Sequence, residues 1–196
     1  MQTSDLISAI AAAFASVPYP GDENIVADDS PADLETSRVK NRLQGRHWRE
    51  VSGETIEQLQ SALPLLTAAA YRFYLPAFMT FALLAPGRSG SVRDELVRTL
   101  TRPDPADLEK IKRDAAARRQ MNPLPEAVWN AAMQALAAAH ESGELEGAFR
   151  DRVAALNADQ AKAVSAFLEH LRDEAGDKLL SGEAAVALDR YWGAHR

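Results

Sequence analysis

The residues of this 196-residue chain best suited to chemistry fall in three short stretches of its first half. VPYPGDENIV (17–26) sets Tyr19, Asp22 and Glu23 on a loop stiffened by two prolines. GRHWRE (45–50) gathers Arg46, His47 and Arg49 around Trp48, and AYRFYLPAF (70–78) carries Tyr71 and Tyr74 on an apolar segment. Carboxylate, imidazole and phenol groups can move protons or orient a polar ligand, and loops held by proline are where such sites tend to lie. These eight residues form the candidate ligand or partner site. The competing reading is packing: Trp48, Phe73 and Phe78 are core anchors, the tyrosines are half-buried with a hydroxyl partner, and Pro20-Gly21 is a turn.

Other chemistries find less support. With no cysteine, thiolate catalysis, disulfides and cysteine-held metals are excluded. His47, His140, His170 and His195 are far apart in sequence and form no HExxH or Glu-x-x-His pattern, so no metal ligand set is assigned. No nucleophile elbow, P-loop or dinucleotide fingerprint occurs. No catalytic residue and no cofactor are therefore named, and the expectation is a protein that is not an enzyme.

The elements that must position these residues are helical. Alternating strand patterns are almost absent, alanine fills 37 positions, and capped apolar stripes recur at helical spacing. The expected fold is all-α, a single compact multi-helix domain over 1–196 with about seven to nine helices. The segment AAAYRFYLPAFMTFALLA is its central rod, bent at Pro76, which removes the hydrogen bond to the Arg72 carbonyl. Helix starts are expected at Ser4, Ser30-Pro31, Ser52, Thr67, Ser91, Asp104-Pro105, Pro123/Pro125, Asn157 (a capping box with Gln160) and Ser181, with Gly176 closing one. Trp48, Phe73, Phe78, Phe81, Phe167 and Leu171 should share one core.

The net charge of −6 is unevenly placed: residues 1–37 carry seven acids and no base, whereas 38–49 carry five bases and no acid. The two stretches are expected to face each other or solvent. Nucleic-acid binding through Arg38–Arg49 or Lys110–Arg119 is not expected at a pI near 5.3. The uncharged run Phe73–Gly87, interrupted by Pro76 and Thr80, is shorter than the roughly 20 residues of a membrane span and reads as a buried helix. LISAIAAAFA lacks a basic flank, so it reads as an amphipathic helix and the expected location is cytoplasmic, without membrane contact.

VPYPGDENIV (17–26), GRHWREVSGETI (45–56), LPLLTAAAYRFYLPAFMTFAL (63–83) and LNADQAKAVSAFLEHLRDE (156–174) together resemble a family of uncharacterised bacterial proteins, a domain of unknown function. Its members share a Pro-Tyr-Pro-Gly-Asp loop, a Trp-x-x-hydrophobic segment, a Tyr-Tyr-Leu-Pro-Ala-Phe helix and a late Thr-Pro-Glu-Gln helix. Here Phe73-Tyr74 and Asn157-Ala158-Asp159-Gln160 stand at two of those places. The resemblance spans about half the chain; 103–150 is unmatched and reads as a possible helical insertion. It implies a bacterial cytoplasmic globule and carries over no catalytic residue. Two function readings follow: a non-enzymatic interaction or accessory protein, immunity-like, whose acidic start steers a basic protein partner, or a small-molecule or catalytic site where the YPGD loop, His47 and the Tyr71/Tyr74 helix meet. Phe78→Ala is expected to be strongly destabilising, whereas Tyr19→Phe and His47→Gln are not if those two residues face solvent or serve a site; equal, large losses in all three would make the loop a packing element.

Overall fold

A computed structural model of the protein describes residues 2–27, 33–121, 125–174 and 178–195. Among these the fold is all-α, about three-quarters helical, with ten helices and no strand. The helices are α1 Thr3–Ala13, α2 Leu34–Leu43, α3 Gly53–Gln58, α4 Ala68–Leu84, α5 Gly90–Leu100, α6 Asp107–Met121, α7 Glu126–Glu141, α8 Glu144–Ala154, α9 Ala158–Asp173 and α10 Lys178–Arg190.

Several helix starts differ from the expected ones, each for a local reason. The Leu6 N–H reaches the Gln2 carbonyl at 3.0 Å, so α1 begins before Ser4, which lies inside it. The α2 cap is Asp33, whose carboxylate accepts the N–H groups of Glu35 (2.9 Å) and Thr36 (3.1 Å). Ser30, Pro31, Pro123 and Gly176, as well as the acids Asp28 and Asp29, lie outside the described residues. In α5 the Arg93 N–H bonds the Ser89 carbonyl at 2.7 Å, which opens the helix ahead of Ser91 and Asp94. α10 begins at Lys178, and Ser181 instead donates its hydroxyl to the Arg172 carbonyl. Ser52, Thr67 and Asn157 cap α3, α4 and α9, and Asn157 forms the capping box with Gln160.

The chain divides into two compact units. The larger comprises Met1–Thr101 and Asp151–Arg196. In it α4 packs against α1, α3 and α5, α9 packs against α1 and α10, and α10 also meets α5. α4 runs unbroken through Pro76, and every residue from Phe73 to Met79 is buried, so Pro76 costs one backbone bond inside a helix held by packing on all sides. Trp48, Phe73, Phe78, Phe81, Phe167 and Leu171 lie in one apolar cluster with Leu6, Ile10 and Trp192. Trp192 closes this core: its indole N–H donates to the Leu100 carbonyl at 2.6 Å, and its own carbonyl accepts from the Ser165 hydroxyl at 3.1 Å. The smaller unit is Arg102–Arg150, where α6 packs against α7 and Arg102 pairs with Glu146 at 3.0 Å. No helix among the described residues is long and apolar enough to cross a membrane.

Candidate functional site

The loop 17–27 is tied down before any of its side chains act. Gly21 adopts φ +89°, a conformation that glycine takes without strain, and Asp22–Asn24 form a 3-10 turn. The Ala27 N–H bonds the Leu65 carbonyl at 2.9 Å, the Thr67 N–H bonds the Ile25 carbonyl at 3.2 Å, and the Thr67 hydroxyl donates to the Asn24 carbonyl at 2.5 Å. This pins the loop to the N-terminus of α4 and brings Tyr19 against Phe73, edge to face with ring centroids 5.5 Å apart.

From there the polar groups converge on the end of α2. A helix C-terminus leaves carbonyls without intrahelical partners, and here they meet side chains. The Tyr74 hydroxyl lies 2.7 Å from the Leu43 carbonyl and 3.1 Å from that of Arg46. Gly45, at φ +67°, turns the chain and directs its N–H at both the Tyr19 hydroxyl oxygen (2.7 Å) and Asp22 Oδ1 (3.0 Å). Tyr19 in turn donates its hydroxyl proton to the Asp22 carboxylate, and the hydroxyls of Tyr19 and Tyr74 also meet. His47 caps the 3-10 turn Trp48–Glu50: its Nδ1 accepts the Arg49 N–H at 3.2 Å while Glu50 accepts the His47 N–H at 3.1 Å. The His47 ring stands edge-on to Phe73 at 5.4 Å, so Phe73 is the apolar hub of the corner.

The candidate residues divide accordingly. Tyr19, Asp22 and Tyr74 form one network, His47 joins it through Phe73, and Arg46 joins through its backbone carbonyl. Glu23 is exposed and folds its carboxylate over Gly21. Arg49 leaves the corner, lying 4.4 Å over the Trp48 ring and donating to the Ala11 carbonyl at the end of α1 (3.1 Å). Tyr71 belongs elsewhere: one turn earlier on α4, its hydroxyl meets Thr99 Oγ1 at 3.3 Å and its ring faces Arg152 at 5.6 Å. The reading that puts Tyr71 and Tyr74 in one site is corrected on that ground, because α5 claims Tyr71. The acidic and basic stretches do not pair through the arginines either: Arg38 donates to the Gln58 carbonyl at 3.1 Å, and no carboxylate among the described residues pairs with Arg38, Arg42, Arg46 or Arg49.

The chemistry of the network follows from its proton affinities. Burial first, then the Tyr19 hydroxyl and the Asp22 charge, push the Tyr74 hydroxyl well above the usual phenol range. Burial and the bond to Asp22 raise Tyr19 in the same direction. Both phenols therefore hold their protons, which makes them hydrogen-bond donors and poor nucleophiles. Among the described residues no three His, Asp or Glu side chains gather as a metal ligand set.

Residues 2–125 match DUF6714, a family of unknown function. The chain belongs to this family. The DUF6714 match contains the whole corner, from Tyr19 to Tyr74, and extends through 103–125. It ends before 156–174, so the late-helix resemblance lies outside it. No curated protein and no solved structure matches the chain. Sequence reasoning missed the centre of the network, the Gly45 N–H and the Leu43 and Arg46 carbonyls, because backbone groups have no signature in residue type. The one available signal was Gly45 just past a helix, which marks a C-terminal cap.

Proposed function

We propose that the protein is a non-enzymatic interaction or accessory protein of the bacterial cytoplasm, binding another protein in the manner of an immunity protein. The observation that carries this reading is that the corner most suited to catalysis spends its polar groups on its own backbone. Tyr19 and Asp22 accept the Gly45 N–H, and Tyr74 serves the Leu43 and Arg46 carbonyls. A catalytic group has to offer a proton or a lone pair to a substrate, whereas these are engaged in holding the end of α2. Capture from the native cytoplasm at low and then moderate salt tests the reading. Recovery of one stoichiometric partner supports it, and absence of any at both salts counts against it.

A second reading keeps a small-molecule site here, favoured by the convergence of Tyr19, His47 and Tyr74 on Phe73. A thermal-shift screen with metabolites tests it, since a ligand at 100 times its dissociation constant adds about 2.7 kcal/mol. No shift with any metabolite removes this alternative.

A further inference from the structure

The inner face of α2 buries Thr36, Val39 and Leu43. Its outer face presents Leu34, Arg38 and Arg42 at four-residue steps, and Arg46 follows past the Gly45 turn at the end of the helix. All four are exposed, and Leu34, 81% exposed, adds an apolar contact beside the cations. The three guanidiniums have no carboxylate partner among the described residues; only Arg38 has a further bond, to the Gln58 carbonyl. At the far end stands Tyr19, 38% exposed yet clamped through its hydroxyl.

We infer that this outer face of α2, from Leu34 to Arg46 with Tyr19 at its edge, is a docking surface for an acidic helical segment of a protein partner. The inference rests on the interaction reading above and supplies the chemistry of the partner at this face, an acidic segment in place of the basic partner that the acidic first 37 residues suggest. Arginine and tyrosine are the residue types that dominate binding hot spots. Four helical residues rise about 6 Å, so carboxylates at the same step on a partner helix meet Arg38 and Arg42 in register, and Arg46 adds a third cation at the end of the helix. The brace also gains a purpose here. Because Tyr74, Tyr19 and Asp22 hold the end of α2, the stripe is ordered before binding, which lowers the entropic cost of association. Nucleic acid fits less well, because a chain of net charge −6 opposes the field of a polyphosphate while a few aligned carboxylates need only local contacts.

The test is a nuclear magnetic resonance titration of the full chain with an alanine-based helical peptide bearing glutamate at every fourth position. Its controls are the same composition with dispersed glutamates and a single-stranded DNA oligonucleotide. Amide shifts should cluster on 34–46 and at Tyr19, fall away as salt rises, and be weaker with dispersed glutamates. Arg42→Glu with Arg46→Glu should weaken binding at least about tenfold, while Lys162→Glu, on the exposed side of α9, should not. Arg42→Gln with Arg46→Gln repeats the comparison if the glutamate pair fails to fold. Shifts elsewhere, no shifts, or tighter binding of the oligonucleotide at the same amides would overturn the surface. If a native partner is captured and the Arg42/Arg46 variant retains it, the surface is wrong while the interaction reading stands. If the wild-type chain captures none, it is the interaction reading that fails, and the peptide titration still decides the surface.

Discussion

Tyr74 is the residue on which the corner turns. It is buried, its hydroxyl serves two carbonyls, and its ring packs edge-on against Phe73 at 4.9 Å. Tyr74→Phe keeps the ring and removes only the donor, leaving carbonyls without it, so a loss of about 1–3 kcal/mol is expected in chemical denaturation. Tyr19→Phe should cost less, because Asp22 Oδ1 still accepts the Gly45 N–H. The expected order is Phe78→Ala first, at about 3–5 kcal/mol for an emptied core position, then Tyr74→Phe, then Tyr19→Phe. That order gives Tyr19 a structural part smaller than that of a core residue, between the packing reading and the solvent-facing one. Residue types alone placed Tyr19, Asp22 and Tyr74 among the candidates because phenol and carboxylate beside proline are conspicuous. What they serve could not be read from types, since the partners are main-chain atoms 23 to 31 residues away.

At the scale of elements, legibility followed local chemistry. Asn157 with Gln160 was readable as a cap because both halves of a capping box lie within one turn, and the structure forms both. Its third role was not readable: Gln160 is fully buried, accepts from Arg72 Nε at 2.9 Å and donates to the Ala13 carbonyl at 3.2 Å, which joins α9 to α4 and α1. Gln160→Ala should therefore cost about 2 kcal/mol, since it strands partners on two other helices. Lys162→Ala, on the exposed side of α9, should stay within about 0.5 kcal/mol. The α2 start supplies a pH prediction. The hydroxyl of Thr36 first, then the Thr36 and Glu35 N–H groups, hold the Asp33 carboxyl below its ordinary 3.8. A depressed carboxyl stabilises the fold above its unfolded value and loses that contribution as pH falls through the folded one. The protection of the Glu35 and Thr36 amides, measured relative to their intrinsic exchange rates, should fall below about pH 4 in the native chain, and in Asp33→Asn it should lack that acid step.

For the molecule as a whole, the all-helical fold and a buried aromatic core were legible because α9 carries its apolar residues at helical spacing and α4 is an uncharged apolar run behind the Thr67 cap. The sequence showed only that 103–150 lacked the resemblance seen elsewhere, and the family match runs through 103–125; Arg102–Arg150 forms a unit of its own. Its α7, rich in alanine, buries no residue, so its sequence alone cannot say what it packs against. Tyr19, Tyr71 and Tyr74 all hold their protons above the ordinary phenol value of 10.0, with burial the largest cause in each. The unfolded chain would release those protons near that value while the folded chain keeps them. Stability is therefore full below about pH 10 and falls as pH rises beyond it, and ultraviolet phenolate absorbance of these three should appear together with the loss of helical circular dichroism.

The Tyr19–Asp22–Tyr74 corner is a brace that holds the end of α2. A double-mutant cycle of Tyr19→Phe and Tyr74→Phe, read by chemical denaturation, tests it most directly. Both single changes should destabilise, and the pair should depart from additivity by about 0.5–3 kcal/mol, because the two hydroxyls share one network. Unchanged stability in both single variants and in the pair would contradict it.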